Sequence, residues 1–197
     1  MKLAVTIEPA ADTLPEVDYR WDVDTDILTA RLLADGGADG GSGSVEIVGS
    51  DGSWLLFDVR AGRIGGVEVA VWPTVRSLAV LAPPAAVQDA RALVPDRGNG
   101  IAAVEVSTVL AAESDRAERT IHFRVGPRRP ARAVRIARDV LLDVDARERI
   151  AGVWLLNVPP FPGEPADAPP GGSAGDRAAA APVLPPAHPQ HPEHLAP

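Results

Sequence analysis

The segment Trp54 to Pro73, WLLFDVRAGRIGGVEVAVWP, occurs twice in this chain, and no other feature constrains the fold as much. A diverged copy, VLLDVDARERIAGVWLLNVP, runs from Val140 to Pro159. Arg63-Ile64-Gly65-Gly66-Val67 aligns with Arg149-Ile150-Ala151-Gly152-Val153, and Pro73 then falls on Pro159 without a gap. Asp58 aligns with Asp143 once one residue is added to the second turn. Each copy reads as two apolar strands joined by a polar turn, Arg60 to Arg63 in the first. Gly66 and Gly152 hold matched places inside strand patterns, where glycine marks a bulge or a close backbone approach. A shared backbone requirement is expected at both.

The rest of the chain repeats the same plan. Leu3 to Ile7 reads as a short strand, and Val17 to Val23 alternates apolar with polar as a half-buried strand does. Asp24-Thr25-Asp26 is a turn, Ile27 to Leu33 the returning strand, Asp35 to Ser44 a mobile glycine-rich loop, and Val45 to Val48 a further strand. Val75 to Leu81 reads as a strand, and PPAAVQDARALVP after it as a short helix, with Pro84 near its first turn and Pro95 as its stop. Asp96 to Gly100 marks the boundary between halves. Ala102 to Leu110 and Thr120 to Val125 are strands around a polar turn at Glu113 to Glu118, and Val134 to Ala137 matches Val45 to Val48. Beyond Pro160, Pro, Ala and Gly dominate and periodicity ends, which predicts a disordered tail. The expected fold class is therefore mainly β, a β-rich α+β chain. Two homologous antiparallel β-meander halves (1–82 and 101–160) form one pseudo-symmetric domain, joined by a connector with the short helix (83–100) and followed by the tail (161–197). A lone unit of this size is marginal, so a core shared between halves is expected over two independent beads.

These residues carry a resemblance. Trp21, Asp22, Asp26 and Leu28, followed by Asp58, Gly62, Arg63, Ile64, Gly66, Val67, Glu68 and Val69, are similar to a small bacterial family known as domain of unknown function 2283. The resemblance covers Tyr19 to Pro73 and extends to Thr120–Pro159 through Ile121, Arg124, Asp143, Arg149, Ile150, Gly152 and Val153. The second copy departs where Arg119 replaces an Asp and Trp154 replaces the Glu. The resemblance implies a β unit and no particular activity.

Several chemistries are excluded at the outset. The chain has no cysteine, which removes thiol nucleophiles, disulfides and Cys-ligated metal sites. No apolar run approaches the ~18 residues of a membrane span, and the opening apolar run is too short for a signal peptide. A soluble cytoplasmic protein without cofactor is expected, and its net charge of −8 favours solubility.

The remaining candidates each have a structural alternative. Asp22, Asp24 and Asp26 resemble the start of a calcium loop, yet Ile27 and Leu33 stand where glycine and the closing glutamate belong; capping a hairpin turn is the other reading. Asp58 and Asp143, with Glu68, could form a carboxylate pair for acid–base or metal chemistry, or each could bond its own turn backbone. His122 lies between Ile121 and Phe123, so alternation sends it to the opposite, exposed face. No GxSxG elbow and no phosphate-binding glycine loop is present. His188, His191 and His194 share a face only if the tail is polyproline II, at spacings of about 9 Å, too wide for one metal unless the tail bends.

Charge is divided unevenly. Residues 116–138 hold eight arginines against Glu118, whereas residues 1–60 carry a net charge of −8. Arg124, Arg128, Arg129, Arg132 and Arg135 are thus candidate contacts for nucleic acid or phosphate, or partners for the acidic half. Only Phe123 is available there for stacking on bases. The leading expectation is a non-catalytic cytoplasmic module that binds an unknown protein or itself. The runner-up binds nucleic acid through the arginines, and a third reading is an enzyme using Asp58 or the Asp22–Asp26 cluster.

Overall fold

The computed structural model describes residues 3–10, 13–33, 42–95 and 103–162, and every regular element among them is a strand. The first eight are β1 (Thr6–Pro9), β2 (Glu16–Asp22), β3 (Ile27–Leu33), β4 (Ser42–Gly49), β5 (Trp54–Arg60), β6 (Arg63–Val71), β7 (Val75–Leu78) and β8 (Val87–Leu93). They are followed by β9 (Ala103–Thr108), β10 (Leu110–Asp115), β11 (Ile121–Val125), β12 (Ala131–Ala137), β13 (Val140–Asp145) and β14 (Ile150–Leu155). Neighbours run β2-β3-β6-β5-β4-β9 on one side of the molecule and β7-β10-β11-β14-β13-β12-β8 on the other. β8 is the corner strand, pairing with β12, with β1, and with β6 through Arg63 and Leu93. The sheet is mixed rather than wholly antiparallel: β4–β9, β7–β10 and β8–β12 run parallel.

Alternation explains the strands. In β3, Leu28, Ala30 and Leu32 are buried while Thr29 and Arg31 face outward; in β5, Leu55, Phe57 and Val59 are buried around Leu56 and Asp58. The turn between β5 and β6 uses Ala61 and Gly62, both at positive φ (47° and 73°), the geometry that lets a tight hairpin follow strand twist. The buried side chains of both halves form one continuous cluster, Phe57 and Val69 together with Phe123 and Leu155 among them. Trp72 reaches across to Phe123, with ring centroids 5.7 Å apart.

Each half also sends the chain that follows its hairpin to the other. β7, after β6, pairs with β10. The segment after β14 returns to β2, where the Tyr19 hydroxyl donates to the Leu156 carbonyl at 2.9 Å and the Trp21 indole donates to the Pro159 carbonyl at 2.9 Å. Burial, with the charge of Asp139, pushes the Tyr19 phenol up, so it stays a donor.

Three local expectations are corrected. The Pro83–Pro95 segment is not a helix; its second part is β8, with Ala90, Ala92 and Val94 buried in alternation. Pairing on both edges, to β12 and β1, overrides the helix preference of its alanines. Ser42 to Ser44 belong to β4, not to a loop. Glu113 to Asp115 end strand β10, so the polar turn there is shorter than expected. Of the expected tail (161–197), Phe161 packs against Trp21, and residues 163–197, like the glycine-rich 35–41 and the boundary at 96–100, lie outside the described residues.

β7 and β8 lie at opposite ends of one seven-strand run. Residues 79–86 link them as a strap without helix or strand, and Leu81 packs on the outer cluster of Ala133, Leu141 and Trp154. Deleting Ala85 and Ala86 shortens its reach by about 7 Å, and the expected result is a loss of about 2–3 kcal/mol in chemical denaturation. Inserting Gly-Ser at the same point is expected to cost well under about 1 kcal/mol.

Candidate functional site

The outward faces of the two hairpins can be compared position by position. In the first, Asp58 on β5 lies opposite Gly66 on β6 and Ser44 on β4, and Gly66 lies opposite Arg31 on β3. In the second, Asp143 on β13 lies opposite Gly152 on β14 and Ala133 on β12, and Gly152 lies opposite Arg124 on β11. The adjoining row reads Thr29, Glu68, Leu56 in the first half and His122, Trp154, Leu141 in the second.

The same positions do different things. In the second half the His122 ring lies flat on the Trp154 indole, with centroids 4.1 Å apart and planes 15° apart. His122 Nε2 sits 2.9 Å from Asp143 Oδ2, and the indole N–H donates to the same carboxylate at 3.2 Å. His122 thus points away from buried Ile121 and Phe123 as alternation requires, but it is not exposed: its side chain keeps 15% of its accessible surface, because Trp154 covers it. In the first half Thr29 and Glu68 leave that space open. The result is a shallow groove of about 310 Å³ over Gly66, walled by Arg31, Leu56, Asp58, Arg60, Glu68 and their neighbours. Asp58 accepts from Arg60 Nε at 2.8 Å, and Glu68 accepts weakly from the Thr29 hydroxyl at 3.4 Å.

The matched glycines answer a need for space, since neither adopts positive φ. A Cβ on Gly152 would fall 2.7 Å from the Phe123 carbonyl oxygen, 2.8 Å from His122 Nε2 and 2.9 Å from Asp143 Oδ2. On Gly66 the closest atom is the Ala30 carbonyl oxygen at 3.1 Å. Gly152→Ala is expected to cost about 3 kcal/mol and Gly66→Ala about 1 kcal/mol, measured as the difference in urea-unfolding free energy. Equal costs would show that the filled and open sites are equally crowded.

The other candidate residues do not gather into one site. Asp22 accepts from the Asp24 amide at 3.0 Å in the β2–β3 turn, and a hydrogen bond from Thr25 holds its carboxyl below the ordinary value. Among the described residues no group of three or more His, Asp or Glu side chains is placed to hold a metal ion. The arginines are dispersed. Arg124 donates to the Gly126 carbonyl at 2.8 Å, and Arg129 is bound to Asp145 and to the carbonyls of Val125 and Ile150. Arg128 lies 3.8 Å from Glu113 and Arg135 lies 3.6 Å from Asp89, while Arg132 is exposed on β12. Arg138 reaches the acidic half, at 2.7 Å from Glu16.

Among the described residues neither Asp58 nor Asp143 accepts from the backbone of its own turn; Asp58 takes the Arg60 side chain instead. In the β13–β14 turn the capping carboxylate is Asp145, which accepts from the amides of Arg147 (2.9 Å) and Arg149 (3.1 Å) and pairs with Arg129 and Arg149. Its turn-capping role was signalled by the Asp-Ala-Arg-Glu-Arg run that follows the strand.

Two comparisons with known proteins add no identity: no family model matches the chain, and no curated protein matches it. No helix among the described residues is long and apolar enough to cross a membrane.

Proposed function

We propose that this chain is a non-catalytic cytoplasmic interaction module made of two diverged copies of one β unit, similar to the uncharacterised domain 2283 family, and that the first copy carries the docking groove. The duplication is supported by the equivalent strand orders β2-β3-β6-β5-β4 and β10-β11-β14-β13-β12. One observation carries the functional reading. Over equivalent carboxylate–glycine pairs, the second unit's space is filled by His122 and Trp154, and the first unit's is left open. An open groove that joins an apolar wall (Leu56) to a few fixed polar groups suits recognition of a protein segment.

The test is selection of a random peptide library on the immobilised wild-type chain and on the Thr29→His/Glu68→Trp double variant, which gives the first unit the second unit's side chains. Peptides enriched only by the wild type are the expected result. Enrichment that is absent, or the same on both, overturns the groove as a docking site. Nucleic-acid binding through Arg124, Arg128, Arg129, Arg132 and Arg135 has less support, because Arg124 and Arg129 are held by carbonyls and Asp145. An enzyme using Asp58 or the Asp22–Asp26 cluster has less still, since the groove wall includes Asp58 and none of that cluster, so the carboxylates do not converge there.

A further inference from the structure

The second unit displays, inside one molecule, the kind of group that fits over a carboxylate–glycine pair: a flat ring bearing an N–H, laid on the sheet and bonded to Asp143. The groove of the first unit offers a carboxylate at the matching register, Asp58, which accepts from Arg60 through Oδ2 and has no ring laid over it. Resting on the docking-groove reading, we infer that the occupant of this groove is an imidazole from the chain's own C-terminal segment, His188, His191 or His194, lying over Gly66 and donating to Asp58.

Position and reach favour this segment. Phe161 packs edge-on against Trp21 of β2 at 5.1 Å, so the described residues end beside β2, with 35 residues (163–197) following in the sequence. The groove begins one strand away at β3, and its Asp58 lies three strand spacings from β2, roughly 14 Å along the sheet. The 26 steps from Pro162 to His188 exceed that distance at any regular rise per residue, about 39 Å even at the 1.5 Å of a helix. That is enough to round the sheet edge and hold the imidazoles at high effective concentration.

Charge favours it as well. On this face Arg20 is paired with Asp18, Arg60 with Asp58 and Arg138 with Glu16, which leaves Asp22, Glu46, Glu68 and Glu105 against Arg31 and Arg63. A ring that gains a proton gains attraction to this surface, so docking strengthens as pH falls through about 6.5, where carboxylates remain ionised.

The test uses the full chain, isotope-labelled, beside the full chain carrying H188Q, H191Q and H194Q together. The amide resonances of Thr29, Gly66 and Glu68 are expected to differ between the two at about pH 6 and to converge at about pH 8. The Gly152 resonance, in the filled unit, is expected to stay in place. Coincident groove resonances at about pH 6 overturn the inference. If they coincide while the wild type still enriches peptides that the Thr29→His/Glu68→Trp variant does not, the groove serves foreign segments only. If both readouts are silent, the docking groove fails with it.

Discussion

Asp145→Ala is expected to cost about 3–5 kcal/mol, the range for removing one partner of a buried ion pair. Asp145 keeps 5% of its accessible surface, and its two oxygens serve two guanidinium groups and two backbone amides. Without it, Arg129 and Arg149 remain as cations with little water around them, and two amides of the β13–β14 turn lose their acceptor. Burial alone would raise the carboxyl's pKa, but the Arg149 guanidinium and the Arg147 and Arg149 amides outweigh it and hold it well below the usual carboxylate range. The pH dependence follows in sign. A group whose folded pKa is depressed contributes stability that is complete above its unfolded value, about 3.9, and is lost as pH falls toward the folded value. The free-energy gap between wild type and Asp145→Ala, from urea unfolding, should therefore be flat above about pH 5 and narrow below about pH 4. A gap under about 1 kcal/mol at neutral pH would reduce the cluster to a solvated surface pair.

Phe123→Ala is expected to cost a similar amount, about 3–5 kcal/mol, because it opens a cavity where the two halves meet. Phe123 is fully buried, belongs to the cluster that contains Phe57 and Val69, and packs against Trp72 of the first half. The loss should fall on both halves together. Unfolding followed by Trp fluorescence, which samples Trp21, Trp54 and Trp72 in one half and Trp154 in the other, should coincide with the loss of strand signal in circular dichroism. Two separated transitions, with only the second half weakened, would show that the shared cluster does not couple them.

What could be read from the chain divides along a physical line. Strands β2, β3 and β11 announce themselves by alternation, β5, β6, β13 and β14 by paired apolar runs around a polar turn, and the Ala61-Gly62 turn by its glycine, because a hairpin is settled among near neighbours. β8 was hidden because its alanines prefer a helix in isolation. Only its pairing with β1, whose register joins Thr6 to Leu93 and Pro9 to Ala90, and with β12, whose register joins Val87 to Ala133, makes it a strand. At the site, Asp58 and Asp143 each lie opposite a glycine, Gly66 and Gly152. Their different roles depend on Trp154 standing where Glu68 stands, and on the ring stack that follows. Face could be predicted for His122 from parity; its burial could not, since the cover comes from the neighbouring strand.

The exchange of strands between halves makes the peptide links between Pro95 and Ala103 topologically dispensable. A piece ending at Pro95 would carry β7 and β8, which border β10 and β12, and a piece beginning at Ala103 would carry β9, which borders β4. Each fragment would hold, as part of itself, a border of the other's sheet. Such a molecule is already arranged as a pair of complementary fragments that a single backbone happens to join, and it could be split there and reassembled by strand pairing alone.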